Sequence, residues 1–270
     1  MTPSPASSPV AAGALLRGLR RNRHLSQLNL AMRAGVSQRH LSFIETGRAR
    51  PSCAMLLALL EALDAALDER NDALLAAGFA PLFGTRALQH PEMALVRETL
   101  ARLLEAHEPA PALVLDPQWN LLQANTGART LFALLGCALP AGAGELNMLQ
   151  AVFAVNGLHT RLLNAEQVCP ALWHSAQRDA ARNAALRTRL EGLLPQVPIA
   201  LRVLPSNVNP AAPVLLSRFA SPAGELSFVS TFTSFGAPMD VTAASLRVEH
   251  LFPADDCTRA ALARCASEDF

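Results

Sequence analysis

The sequence predicts two domains of different fold class: an all-α domain of five helices, followed by an α+β domain with an antiparallel sheet. In the first part, leucine and alanine recur at helical spacing between the serine and glycine residues that start and end short helices. After Pro111 the apolar residues take the period of strands, in the order two strands, several helices, and three or four strands. The predicted segments are a disordered tail (1–9), the helical domain (10–83), a linker with a connecting helix (84–111) and the α+β domain (112–270).

Residues 25–52 hold the clearest local pattern of the chain. Ser26 and Ser37 are suitable N-caps for two short helices, because a serine hydroxyl accepts a hydrogen bond from a free N–H of the first turn. Gly35 and Gly47 suit the left-handed backbone conformation that commonly ends a helix. Two short helices joined by a tight turn form a helix-turn-helix, whose second helix enters the DNA major groove.

The charge of this region agrees with DNA binding. Residues 17–50 contain eight arginines and one acid, Glu45, so they carry a formal charge of +7, whereas the whole chain carries only +1. Such a concentration of positive charge in one motif is typical of contact with DNA phosphates. Together, the turn pattern and the local charge favour DNA binding over a helical hairpin with a solvated basic face.

Base contacts are expected from the first residues of the second helix. Glutamine suits adenine, arginine suits guanine, and a phenylalanine ring can meet the methyl group of thymine. The candidates on this helix, with the capping serine included, are Ser37, Gln38, Arg39, His40, Ser42 and Phe43.

This half of the chain resembles the repressor-like helix-turn-helix domain of the XRE (Cro/C1-type) family. The matching residues are Leu25-Ser26-Gln27, Leu30-Ala31, Ala34-Gly35-Val36-Ser37, Leu41-Ser42, Ile44-Glu45, Gly47 and Pro51-Ser52. The resemblance implies five helices and binding of a DNA operator by a homodimer. It also adds Gln27 as a contact at the start of the preceding helix, and Arg48 and Arg50 as contacts to phosphates.

Composition places the chain among well-packed globular proteins, with 51% hydrophobic and 17% charged residues. The first nine residues lack the basic start of a signal peptide, and no long uncharged apolar run predicts a membrane helix. The five cysteines are widely spaced, odd in number and without a C-x-x-C pair, which favours reduced thiols in a bacterial-type cytoplasm.

The second half begins with a helical pattern over residues 93–107, which either couples the domains or pairs across a dimer. Strands are predicted over 112–115 and 119–124, and helical stretches over 126–135, around 146–153 and over 165–194. Strand patterns return over 199–204, 214–219, 226–235 and 245–251, before a closing helix over 255–266. This element order is that of a PAS-like α+β sensor domain.

The second half is also similar to a family, the ligand-binding domain of MmyB-like regulators. The residues that carry the similarity are 103–109 (LLEAHEP), 119–120, 124–125, 147–149 (NML), 224–228 (GELSF), 230–231, 233, 235–236, 238, 240–242 (DVT) and 252–255 (FPAD). The sequence departs from the family at Ala110, where an aromatic residue is common, and at Val155-Asn156-Gly157, which replaces a common His-Pro-x-Gly. The resemblance implies a small, apolar, fatty-acid-like ligand.

Aromatic residues of the second half are the candidates for lining such a ligand site, since ligand sites are mostly apolar. They are Phe132, Phe153, Trp173, Phe228, Phe232 and Phe235. The same residues also fit an ordinary hydrophobic core, and both interpretations stay open at this point. Arg161 and Arg202 either meet a ligand carboxylate or are simply solvated.

No catalytic motif is present: the chain lacks G-x-S-x-G, a Walker phosphate loop and G-x-G-x-x-G. His159, Cys169 and His174 match no metal-ligand spacing, so neither a metal nor a cofactor is expected. The sequence therefore predicts a transcription regulator, not an enzyme, with a DNA operator and a small ligand as partners and no membrane association. The alternative is a DNA-binding regulator whose second domain is a ligand-free module for protein interaction or dimerisation.

Overall fold

The computed structural model of the protein describes residues 9–140, 146–203 and 213–267. The chain forms two compact units, the first made of residues up to His90 together with Gly236–Ala244. The second unit is made of Pro91–Phe235 and the residues from Ser245 onward. Pro9 begins the first helix, and the rest of the tail predicted over residues 1–9 lies outside the described residues.

The first unit contains the five helices expected from the sequence. They are α1 (Pro9–Asn22), α2 (Gln27–Arg33), α3 (Gln38–Glu45), α4 (Cys53–Ala62) and α5 (Leu67–Ala76). Their apolar sides pack into one core in which Leu16, Leu30, Leu41 and Leu56 are fully buried. The leucine and alanine residues that recur at helical spacing in the sequence therefore form the core of this unit.

Local chemistry fixes where α2 and α3 begin and end. The hydroxyls of Ser26 and Ser37 accept hydrogen bonds from backbone N–H groups three residues ahead, at 3.0 and 3.2 Å. Gly35 and Gly47 follow α2 and α3 with φ angles of 67° and 74°, a region in which a side chain costs free energy. The caps and the glycine turns are thus confirmed as predicted.

The segment Gly236–Ala244 pairs with residues that directly follow the five helices of the first unit. The N–H of Val241 donates to the carbonyl of Gly84 at 2.7 Å, and Gly84 forms a parallel β-bridge with Asp240. The Asp240 carboxylate accepts hydrogen bonds from the guanidinium of Arg86 at 3.0 Å and from the N–H of Thr242 at 2.9 Å. We call this arrangement, residues 84–86 with residues 240–242, the clasp.

The second unit is built on a five-stranded antiparallel sheet in the order β2-β1-β5-β4-β3. The strands are β1 (Ala112–Leu115), β2 (Leu121–Ala124), β3 (Leu216–Ser221), β4 (Gly224–Thr233) and β5 (Arg247–Pro253). The helices are α6 (Ala94–Ala106), α7 (Thr126–Leu134), α8 (Met148–Phe153), α9 (Ala165–Ala180), α10 (Ala184–Leu193) and α12 (Asp256–Ser267), with the short α11 (Val241–Ser245) shared between the units. This architecture confirms the expected α+β class.

One face of the sheet packs against helices to form the core of the second unit. Leu113 and Leu115 of β1, Phe228 of β4 and Leu251 of β5 belong to this core, together with Trp173 of α9. Because side chains alternate between the two faces of a strand, these residues define the core-facing side of the sheet.

The strand predicted over residues 199–204 is wrong over 199–203, and residue 204 lies outside the described residues. Ile199–Leu201 forms a 3-10 helix in which the N–H of Leu201 donates to the carbonyl of Pro198 at 3.0 Å. Proline lacks the N–H that a sheet ladder needs, and its fixed φ favours a tight turn. The apolar residues that follow it therefore imitate a strand in their composition only.

The clasp yields a prediction for the Asp240→Ala variant. Loss of the carboxylate removes the part-buried hydrogen bonds that Arg86 and Thr242 donate to it, and hydrogen bonds to a charged group contribute about 1.5–3 kcal/mol. Hydrogen exchange followed by mass spectrometry should show peptides from 84–90 and 236–244 exchanging roughly tenfold faster or more.

Asp256→Ala is the matched control, because the Asp256 side chain is 92% exposed on α12. It should leave exchange in both peptides unchanged. Unaltered protection in Asp240→Ala would show that the carboxylate does not hold the clasp.

Candidate functional site

A single buried carboxylate joins the first three helices. Glu45, the last residue of α3, accepts hydrogen bonds from Nε and Nη2 of Arg20 in α1, at 2.7 and 2.9 Å. The same carboxylate accepts a hydrogen bond at 2.9 Å from the side-chain amide of Gln27, the first residue of α2. Arg17 lies 3.6 Å away on the exposed side. The position of α3 is thus fixed from two other helices at once.

The pKa of Glu45 reflects competing effects. Burial alone raises the pKa of this carboxyl, but hydrogen bonds from Arg20 and Gln27 and the charges of Arg20 and Arg17 outweigh it and lower the pKa below 4.5. The group is therefore ionised in the folded protein at neutral pH.

Helix α1 also approaches the end of α3 closely. A Cβ atom at Gly13 would lie 2.3 Å from the carbonyl oxygen of Ile44, so only glycine fits there. The main-chain contact and the Glu45 carboxylate act on the same turn of α3.

The predicted base-contacting residues lie on the outer side of α3. Gln38 and Arg39 are exposed, Ser37 is exposed but uses its hydroxyl as the helix cap, and His40 is half-buried. The guanidinium of Arg39 lies 5.5 Å above the ring centre of Phe43. Ser42 is also half-buried, and the exposed Arg48 and Arg50 lie in the segment that follows α3.

Gln27 is the candidate whose surroundings differ most from expectation, because its amide binds Glu45. Sequence reasoning missed Glu45 and its partner Arg20, although Glu45 is the single acid among eight arginines. That isolation was the available signal, since a lone acid in a basic segment indicates an internal ion pair.

Internal ion pairs also reduce the positive charge of the motif. Arg17 and Arg20 pair with Glu45, and Arg23 pairs with Glu69 at 2.6 Å. Within the described part of the chain, no ion pair involves the other five arginines of this region, which are Arg21, Arg33, Arg39, Arg48 and Arg50.

Four of the six aromatic ligand candidates meet in the core of the second unit. Phe132, Phe153, Trp173 and Phe228 are all at most 4% exposed, and the rings of Phe153 and Trp173 meet edge to face at 5.3 Å. Phe232, in contrast, is 52% exposed, and Phe235 is partly exposed beyond the end of β4.

A cavity of about 550 Å³ opens between α8, α10 and the β1–β2 turn, and none of the six aromatic candidates lines it. Its polar lining includes Gln118, Gln150, Arg189 and Gln196.

The two arginines considered for a ligand carboxylate differ in setting. Arg161 is exposed, whereas Arg202 is half-buried and its buried Nε has no hydrogen-bond partner. Sequence reasoning missed a third arginine, Arg247 at the start of β5, whose Nη1 donates to Asp179 at 2.8 Å. Asp179 also accepts a hydrogen bond from the indole N–H of Trp119 at 3.0 Å.

Comparison with known families explains this combination of domains. The model of the MmyB-like transcription regulator ligand binding domain matches residues 96–264, which is more than half of the chain. The chain belongs to the MmyB-like transcription regulators. A helix-turn-helix domain model matches residues 11–73, so this MmyB-like regulator joins a DNA-binding domain to a ligand-binding-type domain.

Solved structures similar to this MmyB-like regulator include other helix-turn-helix proteins. The restriction-modification controller protein C.AhdI from Aeromonas hydrophila is 34% identical, over 23% of this chain and 90% of that chain, with a TM-score of 0.22. Two structures of the clp gene regulator ClgR from Corynebacterium glutamicum are 33% and 32% identical. They cover 26% and 37% of this chain and 87% and 94% of theirs, each with a TM-score of 0.24. A search of curated protein sequences finds no match.

Two further properties concern only the described residues of this MmyB-like regulator. No helix among them is long and apolar enough to cross a membrane. They also contain no group of three or more His, Cys, Asp or Glu side chains that could hold a metal ion.

The Glu45 network predicts a large loss of stability in Glu45→Gln, because Arg20 then stays buried without its counter-charge. Removal of one partner of a buried ion pair costs about 3–5 kcal/mol. Circular dichroism follows urea unfolding of the helices in both units, while fluorescence reports on the second unit alone, which contains both tryptophans. A transition that shifts in circular dichroism but not in fluorescence assigns the loss to the first unit. Glu61→Gln, at an exposed position on α4, is the control and should unfold like the wild type.

The difference in stability between wild type and Glu45→Gln should also depend on pH. Because folding lowers the pKa of Glu45, its contribution is complete above the unfolded value of about 4.5 and is lost as pH falls through the lower folded value. The gap between the two proteins should therefore be constant near neutrality and shrink below about pH 4.5. A gap that stays constant into the acid range would contradict an ionised, hydrogen-bonded Glu45.

Proposed function

We propose that this regulator acts in the cytoplasm as a homodimer, which reads a DNA operator with its helical domains and senses a small apolar, fatty-acid-like molecule with its second domains. The observation that carries the DNA-reading part is the contrast along α3. Its C-terminal end is fixed by the buried Glu45, whereas its first turn presents to solvent the side chains of Gln38 and Arg39, which make no hydrogen bond or ion pair with the described residues.

Each exposed side chain has a role that suits its chemistry. Arg39 offers a bidentate contact to guanine and Gln38 to adenine, and the ring of Phe43 both supports the Arg39 guanidinium and is able to meet a thymine methyl group. His40 and Ser42 supply further polar contacts. Ser37 is the exposed N-cap of α3 and lies at the end of the helix that would face the DNA. Gln27 acts mainly by holding Glu45, so its proposed DNA contact is secondary to that role.

Arg48 and Arg50 are proposed to bind phosphates. Both are exposed, and the backbone N–H of Arg48 donates to the carbonyl of Phe43 at 2.8 Å, which holds this segment against α3. Contacts to phosphates position a protein on the duplex without reading its sequence.

The sensing part of the proposal rests on the family and on the aromatic core. Phe132, Phe153, Trp173 and Phe228 supply apolar walls of the kind that ligand sites use. Effector binding has to change the DNA affinity, and coupling free energies of about 1–3 kcal/mol are typical. Gly236–Ala244 supplies a covalent route for this coupling, because it joins β4 to β5 and packs within the first unit.

The alternative is a second domain that only mediates dimerisation or protein interaction. The tight burial of these four aromatic side chains favours it, since a filled core leaves less room for a ligand. The two candidates differ in a measurable property, the presence of a bound small molecule.

Arg39→Ala should weaken binding to the preferred operator by about 1–3 kcal/mol and leave binding to scrambled DNA almost unchanged, because a base contact is lost. Fluorescence anisotropy with both duplexes measures the difference. Equal losses on the two duplexes would contradict base reading by Arg39.

Arg48→Ala is the comparison for Arg39→Ala, because Arg48 is proposed to bind a phosphate and not a base. It should weaken binding to both duplexes alike and reduce the slope of log affinity against log salt by about 1. An unchanged slope would exclude a phosphate contact for Arg48.

Native mass spectrometry of the purified protein, followed by denaturing extraction, tests the sensing function. A dimer that carries a discrete small mass, recovered as an extractable lipid, is the expected result. A dimer without an adduct, which also fails to take up added long-chain fatty acid, would overturn the sensing function and favour the interaction module.

A further inference from the structure

The connection between β4 and β5 is longer than two neighbouring antiparallel strands need. Thr233 of β4 pairs with Val248 of β5, so the strands already lie side by side where the connection begins. Loops that join such strands usually have about 2–5 residues, whereas this connection runs over residues 234–246. The extra chain is therefore a candidate for a role beyond joining the two strands.

The middle of this connection belongs to the first unit, although the strands on either side of it belong to the second. Gly236–Ala244 lies inside the match to the ligand-binding domain model, residues 96–264, and outside the helix-turn-helix match, residues 11–73. A segment that belongs to one domain by sequence therefore packs as part of the other unit.

The carboxylate of Asp240 holds this segment in place. One of its oxygens accepts hydrogen bonds from the backbone N–H and the guanidinium of Arg86, at 3.3 and 3.0 Å. The other oxygen accepts a hydrogen bond from the N–H of Thr242 at 2.9 Å, at the start of α11. Because Asp240 is only 7% exposed, water competes little for these hydrogen bonds. The clasp thus depends on one buried charge.

Short links join the clasp segment to the sheet. Residues 234–235 alone separate β4 from the segment, and residues 245–246 alone separate the segment from β5. A residue spans at most about 3.3–3.6 Å, so neither link can absorb a large movement. Leu246 is also 2% exposed, so packing fixes the second link. A shift at the end of either strand therefore acts directly on the clasp.

We propose that the Asp240 clasp couples the two units: while it is intact, the stability of the β4–β5 pairing and the DNA affinity of the first unit depend on each other. When the clasp is broken, the two properties become independent. This inference rests on the proposed DNA-reading function and does not depend on the identity of the effector. Because coupling between two sites is reciprocal, DNA bound to the first unit has to change the stability of the strand ends in the second.

The test measures hydrogen exchange in the full-length protein with and without a saturating DNA duplex, whose sequence the protein itself enriches from a random library. In the wild type, the duplex should change the exchange rates of peptides 228–233 and 247–253 by about fivefold or more, the lower end of typical coupling. In Asp240→Ala, saturated with the same duplex, the change should fall below about twofold. Asp256→Ala, at an exposed position of α12, is the matched control and should respond like the wild type.

Gly84→Ala breaks the clasp without removing a charged side chain, and so guards against a folding defect in Asp240→Ala. A Cβ atom at Gly84 would overlap Nη1 of Arg86, so the guanidinium would have to move away from Asp240. This variant should also lose the response to the duplex, with an unchanged circular dichroism spectrum.

A wild type that binds the duplex without a change in the two peptides would overturn the coupling and leave the DNA-reading function intact. A response that persists in both variants would overturn the role of the clasp. Loss of DNA binding in both variants would overturn it too, because the clasp would then belong to the DNA-binding fold itself. A wild type that enriches no duplex would overturn the DNA-reading function along with this inference.

Discussion

The carboxylate of Glu45 is the constraint on which the DNA-binding unit depends. It is buried at the end of α3, and it takes hydrogen bonds from α1 and α2 through Arg20 and Gln27. Because a buried charge is tolerated only when it is paired, the three helices have to meet in one arrangement. The helix is thereby held at its far end, and its first turn presents the exposed side chains of Gln38 and Arg39.

In the second unit, one face of strand β5 carries both a core residue and polar side chains. In β5, Leu251 joins the apolar core, while Arg247 and Glu249 on the same face carry polar groups into partly covered surroundings. Trp119 and Asp179 fix the Arg247 guanidinium but leave one edge without acceptors.

Local patterns made much of the fold predictable. Serine caps and left-handed glycines depend on residues a few positions apart, so the sequence reveals α2, α3 and the turn between them. The partners of Glu45 lie 18 and 25 positions away, and Arg86 lies 154 positions from Asp240, so no local pattern identifies these partners. The isolation of Glu45 among arginines indicates an ion pair without showing which arginine forms it. In the second unit, aromatic composition pointed to the core, whereas the setting of Arg247 depends on three-dimensional packing. The false strand after Pro198 shows the opposite error, in which apolar composition was given more weight than a proline.

Selection of duplex DNA from a random library by the purified full-length protein tests the central claim most directly. If α3 reads bases in a homodimer, the enriched sequences should form an inverted repeat with half-sites about 34 Å apart, or a multiple of that distance. A library that shows no enriched motif after repeated rounds would contradict sequence reading by α3. A single unrepeated motif would contradict the dimeric arrangement.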